Sequence, residues 1–150
     1  MKVIGYTQTV PPGNKNPAKL ELIKRFIVGV STVGDTGILS SSPSWESSDV
    51  GVIQGFVHAE RPVPAHLQLR KQVVEKQKLT GGRSLIVDSN LFLYKNAANP
   101  LQYLRYSYDG VFPQTGNYFC DNVDPARWQQ LSRDVGVDIK DWRTNGKYIL

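Results

Sequence analysis

The chain has 150 residues, 40% of them hydrophobic and 21% charged, which is about one domain's length in an ordinary globular mix and argues against wholesale disorder. One cysteine and two histidines exclude a disulfide scaffold within the chain and a Cys-rich zinc module, and leave little for a His-based metal site. The net charge of +5 permits a nucleic-acid or phosphate-rich partner without establishing one, and no signal-peptide core or membrane-length apolar run is present, so a soluble cytoplasmic protein is the expectation.

Val3-Ile4-Gly5-Tyr6 is a short apolar run that fits a buried strand. Pro11, Pro12 and Gly13 make residues 7–16 a loop. Asn16-Pro17 reads as an N-cap followed by proline at the first helical position. Leu20, Ile23, Ile27 and Val30, widened by Leu22 and Phe26, predict a helix over 17–30. Gly34-Asp35-Thr36-Gly37 reads as a turn. It lacks the lysine and spacing of a Walker loop, and G-x-G-x-x-G is also missing, so neither phosphate-binding motif is supported. Residues 40–48 form a serine-rich polar loop in which Trp45 needs a place to sit. The β-branched run from Asp49 to Val57 predicts a second strand, ended by Pro62 and Pro64.

Pro64 opens a second helix, with Leu67, Leu69, Val73 and Val74 on its apolar side and Gly81-Gly82 as the stop. Residues 84–88 form a third strand, extended through Leu91-Phe92-Leu93 in the longer version. From Asn96 the chain is aromatic-rich and broken by Gly110, Pro113 and Gly116, so it is irregular or extended. Read as a strand, it alternates Tyr103, Arg105 and Ser107 with Leu104, Tyr106 and Tyr108. Asp124-Pro125 opens a third helix with Trp128, Leu131 and Val135 at helical spacing, stopped by Gly136. The last residues, Asn145 to Leu150, read either as a short closing edge strand or as the start of a second domain. Continuously apolar strands alternating with helices predict an α/β domain over 1–150, complete or truncated at that point. It has a short, mostly parallel, Rossmann-like sheet flanked by helices, an irregular aromatic-rich segment and a C-terminal helix.

In such a sheet, ligands sit beyond the carboxyl ends of the strands. There the sequence offers Thr7, Gln8 and Thr9, then His58, Glu60 and Arg61, then Asp88, Ser89 and Asn90. His58 is the acid/base candidate because imidazole titrates near neutrality; Asp88 or Glu60 would orient it or act as the base instead. Arg61 would hold a phosphate bidentately. The competing readings are a packing or surface histidine, an Asp88 turn or cap, and a Glu60–Arg61 surface ion pair. The second helix carries Arg70, Lys71, Lys76 and Lys78. This is either a phosphate-contacting surface for nucleic acid or the solvated back of an amphipathic helix. Arg105, among tyrosines, would stack on a base or a sugar, or simply pack. Cys120 reads as structural, and no metal or cofactor is called for.

The run Ser48-Asp49-Val50-Gly51-Val52-Ile53-Gln54-Gly55 resembles the second strand in the N-terminal half of two-Rossmann-domain (GT-B-type) glycosyltransferases. Residues 103–113, 124–128 and 142–150 are similar to segments of glycosyltransferase-like proteins of tailed marine phages. The resemblance implies sugar transfer from a nucleotide-sugar donor, with this chain supplying the acceptor side and a second domain holding the donor. His58 or Asp88 would then deprotonate an acceptor hydroxyl, with Arg61 and Arg105 steadying phosphate or acceptor groups, in the host cytoplasm if the protein is phage-encoded. Two alternatives stand beside it. One is a small, non-catalytic phage-type protein that binds nucleic acid or a host protein through the basic helix and the tyrosine-rich segment. The other is an assembly protein whose aromatics pack between subunits.

Overall fold

A computed structural model describes residues 1–10, 17–58, 60–88, 105–111 and 124–136. The chain divides into one unit, Met1–Tyr118, and a second, Phe119–Leu150. In the first, β1 (Lys2–Tyr6), α1 (Pro17–Thr32), β2 (Thr36–Ser40), β3 (Val50–Gln54), α2 (Gln68–Thr80), β4 (Arg83–Asp88) and β5 (Arg105–Tyr108) follow one another. The strands form one sheet in the order β2-β1-β3-β4-β5, parallel except for β5, which runs antiparallel to β4. This is an α/β fold with a mostly parallel sheet.

Alternation along the strands builds two cores. Val3, Val50, Val52, Leu85 and Val87 face α1 and meet Ile23 and Ile27. Ile4, Tyr6, Ile53 and Ile86 face the other way and meet Leu69 and Val73 of α2. Each helix therefore covers one face. That is why β1, β3 and β4 read as unbroken apolar runs rather than as alternating ones. The second strand ends earlier than the sequence suggests, at Gln54, because Gly55 turns the chain with φ 76°. The helix after Pro64 begins with a short 3-10 turn, Ala65–Leu67, before α2 proper.

Among the described residues, the strand the sequence reading omits is β2. Gly34 does turn the chain, at φ 88°, but Thr36 and Gly37 already belong to β2, so the expected four-residue turn is shorter than predicted. Strand β2 is an edge strand with only Ser40 buried, so it lacks the apolar run that marks the interior strands. Lying outside β1, it reverses the direction in which the sheet grows. The chain places β2 on one side of β1 and β3 on the other, and the reversal falls between β1 and β3. The return from β2 to β3 has no helix. Tyr6 fixes it instead: its hydroxyl donates to the Glu46 carbonyl at 2.9 Å and accepts the Glu46 N–H at 2.9 Å. Trp45 finds its place here, half-buried against the Ile4–Tyr6–Ile53 core.

Strand β5 bears out the alternation expected of an extended segment: Ser107 is buried while Tyr106 and Tyr108 are exposed. Tyr106 stacks on Phe26 of α1 with ring centroids 6.0 Å apart, and the Arg83 guanidinium lies 4.9 Å from the centre of the Tyr108 ring. Asp109, at φ 61°, accepts the Ser84 N–H at 2.9 Å and pairs with Arg83, closing the β5 end of the sheet. The strand extension at Leu91–Leu93 lies outside the described residues, as do Cys120 and the closing segment Asn145–Leu150.

In the second unit, α3 (Ala126–Val135) starts where the Asp124 carboxylate accepts the Ala126 N–H at 2.9 Å and ends on Gly136 at φ 67°. Both ends are legible in the sequence: Asp124-Pro125 opens the helix and a left-handed glycine stops it. No helix among the described residues is long and apolar enough to cross a membrane.

Candidate functional site

The reversal of strand order falls at the carboxyl ends of β1 and β3, the position at which doubly wound sheets form their ligand-binding crevice. Local chemistry fixes this edge. After β1 the chain makes a tight 3-10 turn, Thr7–Thr9. The Thr9 hydroxyl donates to the Tyr6 carbonyl at 2.6 Å and accepts the Gln54 N–H at 3.1 Å, so one buried side chain ties the tail of β1 to the end of β3. The Thr7 hydroxyl donates to the Ser40 carbonyl at 3.0 Å and holds β2 to the same edge.

Arg70 completes this arrangement from α2. Its Nε and Nη2 donate to the Thr9 carbonyl at 3.0 and 2.7 Å, and Nη2 also donates to Gln54 Oε1 at 3.2 Å. The residue is 8% exposed. Burial lowers its pKa and the nearby Asp88 carboxylate opposes that shift, yet no described carboxylate forms an ion pair with it. The buried stripe of α2 is Leu69, Arg70, Val73 and Gln77. A polar group sits at each end of the stripe, Arg70 at the carboxyl edge of the sheet and Gln77 at the amino edge. With its amide turned so that both ends are satisfied, the Gln77 oxygen accepts the Gly51 N–H at 2.7 Å. Arg70 therefore does not belong to the basic surface expected of this helix: it shares a face with Val73. Lys76 and Lys78 are exposed, and Lys71 is held by the Arg61 carbonyl at 3.1 Å and by Glu75 at 3.7 Å.

The other expected residues distribute around this centre. His58 is half-buried three residues beyond Gly55, its ring edge-on to Phe56 at 5.1 Å, and its carbonyl accepts the Arg61 N–H at 3.2 Å. Glu60 and Arg61 are exposed and form no ion pair with each other. Asp88 is half-buried at the end of β4, paired in register with Arg105 of β5. The side chain of Arg105, and Asn90 altogether, lie outside the described residues. Thus Thr9, Gln54 and Arg70 meet by contact, Asp88 lies within electrostatic reach of Arg70, and His58 follows the same strand end as Gln54. Gln54 escapes the sequence reading, and Thr9 is offered there only as part of the loop after the first strand, because their roles rest on a backbone carbonyl and an amide at a turn, which carry no motif. The signal for Arg70 was its spacing with Val73 and Gln77.

Among the described residues, no group of three or more His, Cys, Asp or Glu side chains is placed to hold a metal ion. A cleft of about 370 Å³ opens at the opposite edge of the sheet, lined by Lys2, Ser47, Ser48, Asp49, Thr80, Gly81 and Gly82. It adjoins the amino ends of the strands, away from the groups just described.

Gly55 couples the backbone to this centre. A Cβ there would lie 2.8 Å from Arg70 Nη1, and φ is 76°. Gly81 has the same φ with nothing within 4 Å. Gly81→Ala is expected to cost about 1 kcal/mol of left-handed strain. Gly55→Ala should cost about 2–3 kcal/mol, because Arg70 must also leave its acceptors. Urea midpoints of the two variants check the difference; equal losses would mean that Arg70 yields without cost. Comparison of the chain with protein-family models, with curated protein sequences and with solved structures finds no match.

Proposed function

We propose that the Met1–Tyr118 unit is a Rossmann-like, acceptor-binding module of a glycosyltransferase-like protein, of the kind its sequence resembles in tailed marine phages. The observation that carries this reading is the reversal of strand order between β1 and β3. It falls at the carboxyl edge, where such sheets form their ligand crevice, beside Thr9, Gln54 and Arg70, with His58 and Asp88 following strand ends on the same edge. The order β2-β1-β3-β4-β5 is also one of the common doubly wound orders. A sugar acceptor needs hydroxyl-sized hydrogen-bond partners and one base. Gln54 and Asn90 are of the first kind, and His58 and Asp88 of the second. On this reading Arg61 and Arg105 would steady phosphate or acceptor groups. The resemblance implies that the nucleotide-sugar donor is held by a second domain, and neither the Walker nor the G-x-G-x-x-G motif occurs in this chain.

The test is an amide NMR titration of the chain with glucose, galactose and N-acetylglucosamine. Saturable shifts at Thr9, Gln54, His58 and Asp88 are expected. Shifts confined to the amino-edge cleft around Ser48 and Gly82, or none with any of the three, would overturn the reading.

A further inference from the structure

We propose that Arg70 is the anion-recognition group of the crevice and that the ligand carries an oxyanion, a phosphate or a carboxylate, against its guanidinium; this rests on the acceptor-site reading above. The guanidinium is held at the junction of β1 and β3 by two neutral acceptors, the Thr9 carbonyl and Gln54 Oε1. Neutral acceptors orient the fork without a contact ion pair, and a buried charge that lacks one is costly to the fold. Within the Met1–Tyr118 unit every Asp and Glu is among the described residues, and none ion-pairs with Arg70. Asp88 acts on it only across space.

A group needed solely to plug the junction would be as well served by a neutral amide. The charge instead suits a site whose counter-ion arrives with the ligand. Gly55 fits the same account, since the absence of a side chain lets Nη1 lie against the backbone where β3 ends. The planar fork also explains the residue type: a lysine could not span the Thr9 carbonyl and Gln54 while leaving a further N–H edge for an oxyanion. Exposed Arg61, by contrast, is not anchored by any described side-chain contact and would add only long-range attraction.

The experiment is a titration of the ¹⁵N-labelled chain with inorganic phosphate, with glucuronate and with glucose at constant ionic strength, reading the Arg70 Nε–H resonance. That resonance is identified by its loss in Arg70→Lys. Phosphate, glucuronate or both should shift it saturably and glucose should not. Phosphate alone marks a phosphorylated ligand, and glucuronate alone an acidic sugar. Arg70→Lys should weaken binding of the active anion by about tenfold or more while keeping the wild-type circular dichroism. An Arg70 signal unmoved by both anions overturns the proposal, as does undiminished anion binding by a folded Arg70→Lys. If that variant does not fold, the wild-type titration still decides, because slow exchange sets a buried guanidinium apart. Neutral saccharides that move His58 and Asp88 while both anions leave Arg70 unmoved would remove this inference and keep the acceptor site. An anion response without any saccharide response would do the reverse.

Discussion

Gly37→Ala is expected to destabilise the protein by about 3 kcal/mol, more than most single-methyl additions. Gly37 lies in β2 directly under α1. A Cβ there would sit 2.6 Å from the Ile27 carbonyl oxygen, 2.8 Å from Ser31 Oγ and 3.1 Å from Ile27 Cγ2. The first of these is helix backbone, which cannot rotate away as a side chain would. Relief requires α1 to lift from β2, and the same helix anchors Ile23 and Ile27 in the core beneath it. Gly29, on the exposed side of α1 with nothing within 4 Å, is the control. Gly29→Ala should stabilise by about 0.5–1 kcal/mol through helix propensity alone. Urea unfolding with an unchanged m-value checks both. A Gly37→Ala midpoint at or above that of wild type would show that α1 does not pack on β2 as described.

That contact also explains what the sequence conceals. Helices α1 and α2 and strands β1, β3 and β4 are legible because each carries its own signal. A proline-led apolar stripe marks α1, a double glycine stops α2, and β-branched runs buried on both faces mark the strands. Strand β2 carries none. Its five residues, Thr36 to Ser40, are small or half-exposed, and its identity depends on Gly37 making room for a helix. Residue type cannot report that, since a glycine beside Gly34 and Asp35 looks like part of a turn. With β2 unread, the reversal of strand order is unread too, although the rule of carboxyl-edge binding already directs attention to the edge where that reversal falls.

Site legibility divides along similar lines. His58 and Asp88 read as candidates because they are titratable residues placed just after strands. Arg70 reads as part of a basic surface, for nucleic acid or for solvent, because its neighbours Lys71, Lys76 and Lys78 are basic, and composition averages over a helix face. Only the inward stripe, Leu69–Arg70–Val73–Gln77, distinguishes it. Its acceptor, the Thr9 carbonyl, is a backbone atom that every residue possesses. A buried polar network joining a turn, a strand end and a helix is a tertiary property, and local pattern has no access to it.

The second large effect concerns the base. With the donor-binding half supplied, replacing whichever of His58 and Asp88 accepts the acceptor's proton should lower kcat by about 10²–10⁴-fold, the usual worth of a positioned base. If Asp88 orients His58, His58→Ala takes the full loss and Asp88→Asn a smaller one. The double variant should then be no slower than His58→Ala, because groups acting as one unit are not additive. If Asp88 is itself the base, the order inverts and His58→Ala is mild. Glu60 belongs in the same series, since it follows the same strand end as His58 but is exposed and outside the contact network. Glu60→Gln should leave the rate within about threefold, in keeping with the small effect of a solvated carboxylate. Sugar transfer measured at saturating acceptor separates these cases. Unchanged rates in both His58→Ala and Asp88→Asn would remove the base from this edge of the sheet, whatever the saccharide titration shows. A loss confined to Glu60→Gln would move it to the solvent-facing loop between β3 and α2.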